Sequence, residues 1–240
     1  MLSKLGYCSR SQATELIRAG RVTLNRATRR DPEIPVRSDR DQIAVDGHIV
    51  RPAKYVYLVM NKPRGLITTA NDEKGRETIY SILKGGGETL PWVAPVGRLD
   101  KASEGLLLLT NESEWASRVS APESHLPKTY HVQINTIASE EQLKALKRGV
   151  KSDGDFLRAM QCRLLRSGEK NSWLEITLEE GKNRQIRRML AVLDCGVLRL
   201  VRVAIGSLEL GDLAKGAYRS LTTQEKNAMD QLMDGYRSKR

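Results

Sequence analysis

The 240-residue chain is poor in aromatic side chains: they make up 5% of it, and Phe156 is its one phenylalanine. A core built from this chain must therefore be aliphatic, drawn from the 40% of positions that are hydrophobic. Cysteine is scarce too. Cys8, Cys162 and Cys195 are odd in number, far apart and without a Cys-x-x-Cys pair, which excludes a disulfide framework and fits a reduced cytosol. His48, His125 and His131 lack zinc-ligand spacing, so neither a metal nor a cofactor is expected. No apolar run approaches the roughly 18–20 residues that span a bilayer. The start, MLSKLGYCSRSQ, has no apolar signal region. A cytoplasmic, monomeric protein with no membrane partner is the expectation. The glycines of KGGGE (84–88) follow no strand–helix phosphate-loop pattern and predict a flexible turn, not a nucleotide site.

What the chain has in surplus is positive charge. Lys and Arg number 40 against 29 acids, a formal net charge of +11. A polyanion is the natural partner, with nucleic acid first and an anionic membrane surface a weak second.

The length admits one large domain, or a large one and a small one. Residues 1–50 read as a small module. Ser9 and Gln12 make a capping box for a short helix whose apolar stripe is Ala13, Leu16 and Ile17 and which Gly20 ends. RVTLN alternates like a strand, and QIAVDGHIV predicts a hairpin turning at Asp46-Gly47. Between them, the arginines 26, 29, 30, 37 and 40 fit a solvated loop and a phosphate contact equally well. Residues 51–56, opening with RPAKY, read as a linker, and residues 57–240 as a second domain. Strands are expected at YVYLVMN, GLLLLT, TYHVQI and WLEITL, with more near Val201 and Leu208. Helices are expected at ASEEQLKALKRG, at NRQIRRMLAVLDCG up to Gly196, and at TTQEKNAMDQLMDGY behind a Thr222/Glu225 capping box. Strands mixed irregularly with a few helices predict an α+β fold rather than a βαβ series.

Three clusters could carry chemistry. In VGRLDKASEGLLLLTNE (96–112), Asp100 stands between Arg98 and Lys101, bracketed by Gly97 and Gly105 and followed by an apolar strand. An ionised carboxylate in a partly dry cleft can serve as nucleophile or base; a salt bridge that only fixes a turn is the plainer reading. In EEGKNRQIRRMLAVLDCG (179–196), Ile186, Met189, Leu190 and Leu193 fall on one helical face. At about 100° per residue, Arg184 and Arg188 point away from it, toward phosphates or solvent. Arg187 lies on the border and is placed to reach a semi-buried anion, with Asp100 as the candidate. In KTYHVQI (128–134), Tyr130, Val132 and Ile134 share one strand face. Tyr130 there is either a base-stacking ring or a core tyrosine.

Together KPRGLITT (62–69), VGRLDKASEGLLLLTN, KTYHVQI and EGKNRQIRRML…LRLVRVAIGSL resemble the motif series of the RsuA-type pseudouridine synthases, a group that includes several large-subunit enzymes. The likeness covers about residues 55–223. SRSQATELIRAGRVTLN resembles the S4-type RNA-binding module that often precedes that catalytic domain. The first residues resemble the middle of that module's first helix, so either a short helix or an incomplete start is expected. Arg26 stands where the module usually carries a turn glycine, so the loop after it is expected to differ in shape.

The resemblance implies a mixed, largely antiparallel sheet with flanking helices, preceded by the small α/β module. It implies isomerisation of a uridine in ribosomal RNA, free or in an assembly intermediate, from an N- to a C-glycoside without metal or cofactor. By the same resemblance Asp100 is the catalytic carboxylate, and Arg187 its partner. Tyr130 is the ring that packs on the target base, and Arg98 the cation that holds the extruded nucleotide. Lys62, Arg64, Arg184, Arg188, Arg199 and Arg202 are candidates for RNA phosphates, with Arg10, Arg18 and Arg21 in the module. Two other readings stay open. A non-catalytic RNA binder would use the module and the charge alone. A glycoside hydrolase would need a second carboxylate opposite Asp100, for which Glu104, Glu179 and Glu180 are available.

Overall fold

The computed structural model describes residues 1–69, 75–85 and 90–237. Helix α1 (Arg10–Arg18) and strands β1 (Val22–Leu24), β2 (Ala27–Arg29), β3 (Ile43–Val45) and β4 (His48–Ile49) come first. The Ser9 hydroxyl accepts from the Gln12 amide while the Gln12 side chain accepts from the Ser9 amide, the reciprocal cap that starts α1. The strands form an antiparallel sheet in the order β2-β1-β3-β4. Leu2, Cys8, Ala13, Val22, Leu24, Ile43 and Val45 fill the core beneath it. Strands β1 and β2 are joined by Asn25 and Arg26, both left-handed at φ 52° and 69°. A two-residue hairpin needs that geometry.

The remaining elements are β5 (Tyr57–Lys62), α2 (Tyr80–Gly85), β6 (Ala94–Val96), β7 (Glu104–Thr110), α3 (Ser113–Ser120), β8 (Lys128–Ile134), α4 (Glu140–Arg148), β9 (Val150–Ser152), β10 (Asp155–Leu157), β11 (Gln161–Ser167), β12 (Ser172–Leu178), α5 (Gln185–Val192), β13 (Val197–Ile205), β14 (Leu208–Glu209), β15 (Tyr218–Ser220) and α6 (Thr223–Arg237). Most of the strands build one large sheet, ordered β11-β12-β8-β13-β7-β5-β15, with β6 on β7 and β14 on β13. Among the described strands β13 and β7 pair in parallel and the others antiparallel. This is the expected α+β, largely antiparallel architecture.

Strand β7 is buried along its whole length. Leu106 and Leu108 face one core, with Val59, Trp115 and Met229, while Leu107 and Leu109 face another, with Leu58, Met60 and Leu83. A strand covered on both faces has no reason to alternate, hence the unbroken GLLLL. A third core lies between β8, β12 and the helices α4 and α5. Each fully buried leucine contributes about 1.5–3 kcal/mol. The two cores on β7 therefore fix its position firmly.

Residues 51–56 carry no regular structure, yet they are held. The Asn111 side chain accepts from the Val56 amide at 2.8 Å and donates to the Lys54 carbonyl at 2.9 Å. The Ala53 and Trp92 amides donate to the Leu5 and Gly6 carbonyls. The N-terminal segment is thus stitched to the end of β7.

Some elements differ from expectation. Helices α2 and α3 are short and were not anticipated; α3 buries only Trp115 and Val119, too brief a pattern to read. Helix α5 begins at Gln185 and ends at Val192, with Arg184 outside it and Leu193 as its cap. Of the glycine turn expected at 84–88, Lys84 and Gly85 close α2 and the rest lies outside the described residues.

Two predictions follow from local geometry. Arg26 carries a side chain in a left-handed conformation that glycine adopts at little cost. Arg26→Gly should raise stability by about 0.5–1 kcal/mol in urea titration. At the α6 cap, Glu225 accepts from both Arg219 Nη atoms and from the Thr222 amide, and these bonds hold its carboxyl down at about 2. A carboxyl lowered in the folded state stabilises above its ordinary value of 4.5, and that contribution drains away as pH falls toward 2. Glu225→Gln should cost about 1–2 kcal/mol at pH 7 and flatten the loss of stability between those two pH values.

Candidate active site

Asp100 lies in the loop 97–103 that joins the antiparallel neighbours β6 and β7. Its main chain is anchored from several directions. Thr68 Oγ1 donates to the Leu99 carbonyl at 2.8 Å and accepts from the Leu99 amide at 3.3 Å. The Gly65 amide donates to the Lys101 carbonyl, and the Ser103 amide to that of Asp100. Beneath the loop Lys62 is 0% exposed. Its Nζ donates to the carbonyls of Pro63 (3.1 Å), Asp100 (3.3 Å) and Ser103 (2.9 Å). Burial pushes the Lys62 ammonium down to about 8, although the charges of Glu104 and Asp100 oppose that shift. At the end of the loop Gly105 (φ 99°) runs against β13, where a Cβ would fall 2.2 Å from the Arg202 carbonyl oxygen. Only glycine fits.

The Asp100 side chain, 41% exposed, faces a cleft of about 510 Å³. Arg98, Lys128, Tyr130, Arg184, Arg187 and Arg202 also line it. The volume lies in the range that encloses a small molecule or one nucleotide unit. Arg184 Nη1 stands 3.6 Å from Asp100 Oδ2. Arg184 caps α5 in a left-handed conformation, φ 48°, uncommon for a side chain of its size. Arg187 Nη2 donates to the Ala102 carbonyl at 3.3 Å, and its buried Nε has no hydrogen-bond partner among the described residues. Burial lowers the Arg187 guanidinium from its ordinary value and Arg184 adds to this, while Asp100 pulls it back up. Tyr130 is half-buried, its ring touching two of the hydrophobic cores.

The comparisons with known proteins agree on what this cleft belongs to. A family model described as RNA pseudouridylate synthase matches residues 56–192, and an S4 domain model matches residues 1–43. The chain belongs to the RNA pseudouridylate synthase family. An RNA pseudouridine synthase of Aquifex aeolicus is 37% identical over 93% of this chain and 89% of its own. The ribosomal large subunit pseudouridine synthase B of Bacillus subtilis is 34% identical over 98% of this chain and 95% of its own. A crystal structure of a pseudouridylate synthase superposes with a TM-score of 0.64 at 29% identity, covering 92% and 94% of the two chains. The protein is accordingly an RNA-modifying isomerase, which sets aside the readings as a mere binder and as a glycoside hydrolase.

Within this pseudouridine synthase, the residues expected at the site divide. Asp100, Arg98, Tyr130 and Arg187 meet at one cleft. The expected Asp100–Arg187 ion pair is replaced: the guanidinium nearest Asp100 is that of Arg184, which lies outside the helix because α5 starts at Gln185, two residues later than expected. Arg188 was expected to face phosphates. It is instead tied to Asp153 and Asp155 of the β9–β10 hairpin, at 3.1 and 2.9 Å. Lys62 is sealed under the loop and reaches no phosphate. Arg199 makes two bonds, of 2.9 and 3.1 Å, to buried Glu104, which Lys215 also contacts. Burial alone would raise the Glu104 carboxyl, but these two cations outweigh it and hold it below the usual range. Arg202 is buried at 5% exposure, its Nε donating to the Leu106 carbonyl. Arg21 pairs with Asp46 on the module's surface. Arg64, Arg10 and Arg18 are exposed. Thr68, Ser103 and Lys128 were missed; Lys128 opens the same KTY segment that flagged Tyr130.

Lys62→Met removes the ammonium that three carbonyls share under the loop, of which only that of Asp100 keeps a second donor, the Ser103 amide. The variant should lose about 1–3 kcal/mol of stability in urea titration and lose turnover more than RNA affinity.

Proposed function

We propose that the protein converts a specific uridine of ribosomal RNA to pseudouridine with Asp100 as the catalytic carboxylate. The observation that carries the reading is the cleft itself, where one carboxylate, one half-buried tyrosine and several cations line the same space. A target base inside folded RNA must leave its stack before it can enter such a cleft, at a cost of a few kcal/mol. Tyr130 offers a face for the extruded base and, with the C5–sugar bond made, a group to take the C5 proton. Arg98, exposed at the rim, holds the extruded nucleotide. Asp100 engages the sugar or the base, while Arg184 and Arg187 keep a positive field against it. The fixed loop serves the chemistry by keeping the carboxylate in place while the base detaches and turns.

Several finer assignments belong to the same reading. The chain is of the RsuA type, and the likeness to a large-subunit enzyme of Bacillus subtilis favours a ribosomal RNA target. Residues 1–50 form the RNA-binding module, joined through 51–56 to a catalytic domain at 57–240. The module contacts the RNA through exposed Arg10 and Arg18, and Arg64 extends that surface at the catalytic domain. The enzyme works as a monomer in the cytoplasm, on free RNA or on an assembly intermediate. Binding falls steeply with salt, as expected where several phosphates are met.

The test uses unmodified ribosomal RNA carrying tritium at C5 of its uridines. Asp100→Asn should reduce tritium release on the order of 10⁴-fold or more while RNA binding persists. Turnover by Asp100→Asn at the native rate would refute the assignment.

A further inference from the structure

The floor of the cleft holds two cations that the reading above leaves without a task. Arg202 on β13 lies directly across from Tyr130 on β8, and Lys128 stands two residues before Tyr130. Neighbours across two strands and next-but-one neighbours along a strand share a face, so all three side chains rise from the same side of the sheet. Arg202 lines the cleft at 5% exposure, and its Nη2 is buried with no hydrogen-bond partner among the described residues. Its Nε is already committed to the Leu106 carbonyl. Buried donors are almost always satisfied, so one left open against a cleft marks where a ligand acceptor belongs. Lys128 lines the same floor. Burial and the charge of Arg202 both lower its ammonium from the ordinary value. Two like charges thus face each other in the empty cleft. Of the acids that line the cleft, Asp100 lies against Arg184, Glu180 accepts from Gln185 and lies near Lys182, and Glu179 stands beside Glu180.

An oxygen-rich, flat ligand relieves that repulsion. A backbone phosphate keeps its water and stays at the rim, whereas a base beside Tyr130 brings its ring carbonyls to the depth of Arg202. We infer that Lys128 and Arg202 bind the carbonyl oxygens of the uracil ring and carry the negative charge it acquires on leaving the sugar. This rests on the proposed reaction. When the C1′–N1 bond breaks, its electron pair stays on the base and spreads over N1, O2 and O4, and the electron-deficient C1′ is met by the Asp100 carboxylate until C5 takes its place. After the ring turns, C5 bonds to C1′, the C5 proton leaves and N1 takes one up, so the overall change is an isomerisation. Between those two bonds the base is an anion, and fixed cations lower the barrier to reaching it.

The test compares Lys128→Met and Arg202→Lys with the native enzyme. Arg202→Lys keeps a donor for Leu106 but loses the fork, and thermal melting verifies folding of both. Single-turnover rates are measured on ribosomal RNA containing uridine and on the same RNA containing 5-fluorouridine. Nuclease digests are separated by chromatography, which resolves the isomeric product from the target nucleoside, before detection by mass spectrometry. Fluorine stabilises the detached base anion and reduces the help it needs. Each variant should slow the uridine reaction about 10²-fold, with RNA affinity unchanged and a clearly smaller loss on 5-fluorouridine. Equal losses on the two substrates, or a loss found wholly in RNA affinity, would overturn the inference. An inactive Asp100→Asn beside native rates for both cation variants sinks this inference alone. A fully active Asp100→Asn removes the underlying reaction, and the inference with it.

Discussion

A lysine ammonium sealed beneath a loop, with backbone carbonyls as its hydrogen-bond partners, is the constraint on which this site depends. Lys62 has no carboxylate in contact; its Nζ is met by the carbonyls of Pro63, Asp100 and Ser103. Burying a charge is costly unless dipoles replace the lost water. Three carbonyls aimed at one point do so only while residues 97–103 keep their present shape. The charge and the loop therefore stabilise each other. The Asp100 backbone is fixed, and the side chain is left free to face the cleft.

The same division runs through the other cations. With a formal net charge of +11, the simplest expectation is a surface of phosphate contacts. Several of the arginines that looked most suitable serve the fold instead. Arg188 clamps the β9–β10 hairpin, Arg199 neutralises buried Glu104, and Arg202 bonds to the main chain of β7. Removing Arg199 would strand the buried Glu104 carboxylate, so that pair is worth more to the fold than a surface ion pair would be. Arg98, which lines the cleft, and Arg64 stay exposed.

The sequence made the α+β class and the long elements legible because their patterns are strong. The capping boxes at Ser9 and Thr222 each start a helix where the residue pairs placed it, and a box at Ser139 starts a third. Alternation in KTYHVQI put Val132 and Ile134 in the core and Tyr130 with them on the cleft side. Two kinds of feature were not legible. Short elements such as α3 bury too few residues to show a period. Helix boundaries moved as well: Arg184 takes a left-handed cap conformation, so its angle around an assumed helix misplaced it, and with it the guanidinium nearest Asp100. The role of KPRGLITT was hidden for a third reason. Lys62, Gly65 and Thr68 act on main-chain atoms 31–41 residues away, and no local spacing reports a contact of that span.

Strand β7 also sets how far apart recognition and chemistry lie. Its first residue, Glu104, follows the Asp100 loop, and its last, Thr110, precedes Asn111, which holds the linker at Lys54 and Val56. Seven extended residues span roughly 20 Å. Both ends are immobile, because the leucines between them are packed from two sides. The loop that carries Asp100 and the residue that ties down the linker are therefore held at the two ends of one packed strand, and neither can shift without disturbing the leucines between them.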